Sequence, residues 1–172
     1  MEVWMSLLIL IIIGQRLVEL VIAKNNEKWM KERGGIETGN EHYKWFIYLH
    51  TLFFLSVLLE TMVKINNQEI AFNYFYFLVF IAAQLARIWC IYSLGRFWNT
   101  KIIVLPRVAL IKKGPYKYVK HPNYIIVAVE LFIIPMLFGA YITAIVFPIL
   151  HIMLLRIRIP AEEKALSTNV KV

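Results

Sequence analysis

The chain is poor in the residues that soluble enzymes use for chemistry. One of its 172 residues is cysteine, Cys90, so an internal disulfide is impossible, and no cysteine–histidine cluster has the spacing of a zinc site. The four histidines, His42, His50, His121 and His151, form no His-Glu-x-x-His pattern. There is no glycine-rich loop of Rossmann or Walker type, no internal repeat and no low-complexity tract. Acidic residues are scarce too, 11 against 19 Lys and Arg, which leaves a net charge of +8. Apolar residues, in contrast, are abundant: 60% of the chain is hydrophobic and the mean hydropathy is +0.63, well above the ~45–50% apolar content of soluble domains.

These apolar residues fall in five runs, at 3–23, 45–63, 72–94, 124–138 and 140–155. The first three are long enough to cross ~30 Å of hydrocarbon at ~1.5 Å per residue. The last two are shorter, are divided by Pro135 and Gly139, and predict a tight helical hairpin that stops short of the far surface. The first run has Glu2 in place of a basic leader and no small-residue cleavage site after it, so it is expected to remain as a span. The expectation is an all-α, polytopic membrane helix bundle of about five transmembrane helices. It forms one domain over 1–172, with three spans in 1–94 and the loop, hairpin and C-terminal segment in 95–172.

The positive charge is distributed by side. Segments 24–44, 95–122 and 156–172 carry five, seven and four Lys/Arg, whereas the opposite side holds Lys64 alone. The positive-inside rule then puts the N-terminus outside and the C-terminus in the cytoplasm. The basic excess reads as topology plus attraction to anionic headgroups, and nucleic acid is not an expected partner.

Charges also lie inside the spans, where they are costly and usually face a bundle interior or a cavity. Arg16, Arg87 and Glu130 each sit seven residues from the basic surface, or ~10 Å deep at the helical rise. Gln15, Glu19 and Gln84 extend this layer, and Arg16 and Glu19 share a helical face. Interhelical salt bridges are one reading, and a polar cavity opening to the cytoplasm is the other. Glu60, near the outer end of the second span, is expected to snorkel to water.

The most distinctive segment is Gly114-Pro115-Tyr116-Lys117-Tyr118-Val119-Lys120-His121-Pro122-Asn123-Tyr124. Its prolines and glycine oppose regular helix, and irregular backbone at a membrane boundary persists only where protein or a water-filled cavity satisfies it. With the hydrophobic hairpin that follows, and then Arg156-x-x-x-x-x-Glu162-Glu163, this segment resembles the isoprenylcysteine carboxyl methyltransferase family. The likeness covers roughly residues 94–166, including Leu94-Gly95-Arg96-Phe97-Trp98. Two positions depart from the family pattern: Lys120 stands where arginine usually precedes His-Pro, and Ile125-Ile126 where a small residue often follows. A short tail and a Lys/Ile/Asn-rich composition suggest a bacterial homologue in the cell membrane.

The resemblance implies a membrane enzyme that transfers the methyl of S-adenosylmethionine to a lipid-borne acceptor. It implies that Tyr116, His121, Pro122 and Tyr124 line the cofactor pocket and that Glu162 and Glu163 anchor it. A carboxylate or acidic enol acceptor, of prenylcysteine or long-chain alkylpyrone type, is ionised near neutral pH and needs no general base. Arg87 and Arg156 are then the expected catalytic cations, with Arg16 and Glu130 binding substrate that enters from the bilayer among membrane lipids. The other readings are a phospholipid N-methyltransferase, whose protonated amine a cationic layer would repel, an NADPH-dependent lipid reductase, and a non-enzymatic scaffold or small transporter.

Overall fold

The computed structural model describes residues 3–66 and 70–169, apart from the side chain of Asn169. Five helices form the bundle: α1 (Val3–Lys31), α2 (Asn40–Ile65), α3 (Tyr74–Leu94), α4 (Pro122–Leu137) and α5 (Tyr141–Asn169). Four of them are long and apolar enough to cross a membrane, and α4 is a shorter apolar helix of 16 residues. The protein is an all-α polytopic bundle, as the hydropathy pattern predicts.

Polar boundary residues decide where the helices start. Asn73 caps α3, its side-chain oxygen accepting hydrogen bonds from the amides of Phe75 at 3.0 Å and Tyr76 at 3.2 Å. Pro122 opens α4 at the position where its missing N–H costs nothing. α1 continues past the end of its apolar run to Lys31, so about two turns project beyond the apolar layer.

The α4–α5 hairpin forms at the apolar junction of the last two runs. Gly139 takes φ 68°, a left-handed conformation that glycine adopts without strain. The amides of Phe138 and Ala140 return to the carbonyl of Pro135 at 3.0 and 2.9 Å. The turn is buried beneath α2, because Thr61 and Lys64 donate to the carbonyls of Phe138 and Gly139 at 3.2 and 3.3 Å. Glu60 does not snorkel to water. Its carboxylate accepts from the amides of Ile142 and Thr143 and from the Thr143 hydroxyl at 2.7–2.9 Å. It thus caps the first turn of α5 from a neighbouring helix, where an anion meets the positive end of the helix dipole.

The core joins all five helices through Met5, Ile12, Phe53, Val57, Phe80, Leu131, Leu137 and Phe147. Apolar side chains on the outer faces, among them Leu10, Leu55, Leu85 and Ile142, remain exposed, as a lipid-facing surface requires.

Two features differ from the expected layout. A short antiparallel pair, β1 (Ile36–Thr38) and β2 (Ile102–Val104), joins the α1–α2 connection to the segment after α3; three residues per strand are too few for a sequence pattern to reveal. α5 also runs on past the apolar stretch 140–155 through Pro160 to Asn169. Pro160 costs one backbone hydrogen bond, which polar anchoring on both sides of it offsets.

Candidate active site

Two clusters of ionisable side chains lie at different depths. The deeper one is a ring built by α1, α3 and α4. Arg87 donates to Glu19 at 2.7 Å and to Glu130 at 2.6 Å, and Arg16 contacts the same two carboxylates at 2.8 Å each. Gln15 and Gln84 donate to Glu19 and Glu130 at 3.0 Å, and the Gln15 side-chain amide donates to the Gln84 side-chain carbonyl at 2.6 Å. Each carboxylate therefore has three donors, and the two positive charges are balanced by two negative ones. Of the residues expected to hold an acceptor anion, Arg16, Arg87 and Glu130 meet one another in this neutral ring, which leaves the layer without the net cationic charge expected of it.

The second cluster lies where α4 begins and α5 emerges from the bundle. The Tyr124 hydroxyl donates to Glu162 at 2.6 Å and accepts from Nε of Arg158 at 2.8 Å. A second guanidinium nitrogen of Arg158 donates to the carbonyl of Thr100 at 2.5 Å, and the same group lies 4.9 Å over the Phe46 ring. Arg158 is only 6% exposed. His121 faces both acids, with Nδ1 3.7 Å from Glu162 and Nε2 3.3 Å from Glu163, and Lys120 lies 3.7 Å from Glu163. The rings of His121 and Tyr124 stack at 5.5 Å with planes 20° apart. Thus His121, Tyr124, Glu162 and Glu163, from two segments separated by the hairpin, converge.

Tyr116 stands beside this group and near the buried thiol of Cys90 on α3. Burial holds the Tyr116 hydroxyl well above its usual range, and the nearby Glu162 acts in the same direction, so it stays a neutral donor. Gly114, at φ 54°, lets the loop close on α3, where a Cβ would collide with the Ser93 hydroxyl and the Trp89 indole. Pro122 is buried under the loop, and the adjacent Asn123 side-chain oxygen is buried without a partner.

Arg156 is exposed and lies outside this cluster, and Arg158 takes the inward position. The spacing carried that information: Arg158 and Glu162 are four apart and share a helical face, whereas Arg156 and Glu162 are six apart. Thr100 and Phe46 had no signal in the sequence, since they meet Arg158 only through tertiary packing.

A third group ties the end of α1 to the β pair. Lys31 contacts Glu27 and Glu37 at 2.5 Å each, and Lys101 contacts them at 2.8 and 3.2 Å. Burial pushes the Glu37 carboxyl up, but hydrogen bonds from Lys31 and Lys101 outweigh it and hold the group below its ordinary value. Hydrogen bonding to Glu27 and Glu37 raises the Lys101 ammonium above its own.

Known proteins resemble this chain in sequence. Residues 75–168, which carry the loop, the hairpin and the acidic pair, match the model of the isoprenylcysteine carboxyl methyltransferase (ICMT) family. The chain is 46% identical over 161 residues to the uncharacterized protein YpbQ of Bacillus subtilis (strain 168), covering 94% of this chain and 95% of that one. It is 30% identical over 162 residues to an uncharacterized protein of Haemophilus influenzae (strain ATCC 51907 / DSM 11121 / KW20 / Rd), covering 91% of each. No solved structure matches it.

Proposed function

The chain belongs to the isoprenylcysteine carboxyl methyltransferase family, and from that premise we propose that this integral membrane protein is an O-methyltransferase that uses S-adenosylmethionine. Its acceptor is the carboxylate or acidic enol of a lipid-like molecule, of prenylcysteine or alkylpyrone type, that reaches the site from the bilayer. The reading rests on one observation above the others: the convergence of His121, Tyr124, Glu162 and Glu163 around a buried arginine. The same distribution of basic residues supports an N-terminus outside and a site facing the cytoplasm of a bacterial cell membrane.

The residues present suit a nucleoside that carries an amino acid. Glu162 and Glu163 are partly exposed carboxylates able to accept from hydroxyl or ammonium donors. The stacked His121 and Tyr124 rings are positioned to border a purine, and the unpartnered Asn123 oxygen is a further acceptor. When bound, the cofactor supplies an activated methyl group on a cationic sulfonium.

The acceptor is already an anion near neutral pH, so no side chain has to remove a proton from it. What remains for the chain is alignment and exclusion of water. Arg158 suits alignment: Tyr124 and Thr100 fix two of its donors, and a guanidinium in that position attracts an anion while orienting Tyr124 and Glu162. With Arg16 and Arg87 neutralised by Glu19 and Glu130, the cationic layer expected to repel a protonated amine, the substrate of a phospholipid N-methyltransferase, is reduced to Arg158, which meets Glu162 through Tyr124.

Calorimetric titration of the detergent-purified protein with S-adenosylhomocysteine, alongside NADPH, tests this function. Saturable binding of the first alone is the expected result. NADPH binding instead would move the assignment to a lipid reductase, and binding of neither to a non-enzymatic membrane protein.

A further inference from the structure

An open cleft of about 630 Å³ lies beside the candidate site, between the projecting end of α1, the start of α2 and the approach to β2. Its wall changes character along its length. Leu20 and Ala23 form an apolar end, within the hydrophobic run of α1. Beyond them the lining carries Lys24, Lys28, Lys31 and Lys101 against Glu27 and Glu32, four positive charges to two negative. Lys31 and Lys101 are engaged by Glu27 and Glu37. Lys24 and Lys28 are exposed, one helical turn apart, and outside that network.

The cleft shares a wall with the Arg158 cluster. Thr100 lines it, and the Thr100 carbonyl accepts from Arg158. Tyr43, also in the lining, holds the Thr100 hydroxyl at 3.3 Å. An occupant of the cleft thus lies one residue away from the buried guanidinium. The α1 and α2 walls fall outside residues 75–168, the part of the chain that carries the family's shared pattern.

We propose that this cleft binds the anionic head of the lipid-like acceptor, a single-chain amphiphile ending in a carboxylate or enolate. Lys24 and Lys28 attract the head, while the tail leaves past Leu20 and Ala23 into the bilayer. This deepens the methyltransferase reading and rests on it. A cleft apolar at the membrane end and cationic at the water end matches that shape of molecule, because each part of the ligand finds the medium it needs. Methylation would remove the charge that the lysines attract, so the same residues that gather the acceptor have little hold on the neutral ester.

The test uses the full chain in phosphatidylcholine nanodiscs and a fluorescent 16-carbon fatty acid, with its methyl ester as the neutral control. Wild-type protein is expected to bind the acid saturably and at least tenfold more tightly than the ester. K24E/K28E should weaken the acid at least tenfold and the milder K24Q/K28Q about threefold to fivefold, with ester binding unchanged in both. S-adenosylhomocysteine titration of the same variants should match wild type, showing an intact fold. Unchanged acid binding in K24E/K28E, equal binding of acid and ester, or displacement of the acid by an equal concentration of phosphatidylglycerol would each overturn the assignment; the last would make the cleft a phospholipid headgroup site. Should wild-type protein bind the acid as expected but no S-adenosylhomocysteine, the methyltransferase reading fails while the anionic-amphiphile site stands.

Discussion

The deep ring and the cluster at the end of the bundle both pair arginine with glutamate and have opposite designs. In the deep ring of Arg16, Glu19, Arg87 and Glu130, every charge has a short partner and both glutamines close the remaining positions. In the cluster of Arg158, Tyr124, His121, Glu162 and Glu163, the cation is buried but the acids are partly exposed, and the histidine contacts are 3.3 and 3.7 Å. The difference teaches how to separate packing from chemistry inside a membrane protein. A charge-balanced ring in which every carboxylate has three donors ties three helices together. An unsaturated cluster at the bundle's end keeps acceptors and a fixed cation free for one.

Breaking the ring should give the largest effect. Glu130→Ala leaves two buried guanidiniums sharing one carboxylate, a loss of about 3–5 kcal/mol, and thermal unfolding in detergent should fall by roughly 10 °C or more. The paired substitution Arg87→Met with Glu130→Leu removes opposite charges together and should recover much of that loss. Equal destabilisation by the single and paired variants would contradict a ring held by charge balance.

Arg158→Ala comes next, and here function should move more than stability. It removes the bonds to Tyr124 and Thr100 and leaves Tyr124, the partner of Glu162, less firmly oriented, so affinity for S-adenosylhomocysteine should drop roughly tenfold to a hundredfold, read by calorimetry, at ~1.5–3 kcal/mol for a charged hydrogen bond. Arg156→Ala should leave that affinity unchanged, which sharpens the contrast between two arginines on one helix. Similar losses in both would undo the assignment of the inward position.

A smaller effect is expected within the cluster itself. His121→Ala and Glu162→Ala should each weaken S-adenosylhomocysteine binding severalfold, about 1 kcal/mol, with melting temperatures near wild type. Wild-type affinity in both would show the open cluster to be structural, like the ring.

The smallest effect concerns the network at the end of α1. The folded-state pKa of Glu37 is depressed, so its contribution is present above the unfolded value of about 4.3 and is lost as pH falls through the folded value. That of Lys101 is raised, so its contribution is present below about 10.4 and is lost as pH rises through its folded value. Glu37→Gln should therefore lower the melting temperature slightly between pH 6 and 9, by less than about 1 kcal/mol for a solvent-screened pair. The two proteins should converge near pH 3, and a constant offset across that range would argue against an ionic contribution.

Much of this was legible in the chain. The apolar runs announced the spans, because ~30 Å of hydrocarbon sets their length. The charges seven residues from a span end announced a polar layer, and the His-Pro loop and the acid pair, singled out in the chain, do come together. The roles within these groups were not legible. The charged layer left salt bridges and a polar cavity both open until Glu19 and Glu130 were seen each to face Arg16 and Arg87, and the contact by which Glu60 caps α5 had no signal in the chain.

Hydropathy is a property of the local sequence, since each residue's transfer free energy depends on its own side chain, and so span number, the basic end and the family motif followed from the chain alone. Whether a charge is spent or available depends largely on partners distant in the chain, 43 to 114 residues away for Arg87–Glu130, Arg87–Glu19 and Arg16–Glu130, brought together only when helices pack. Tertiary structure alone therefore decided that the deep arginines each meet both carboxylates, that Arg158 reaches Thr100 and Phe46, and that a cleft of opposite polarities opens beside it.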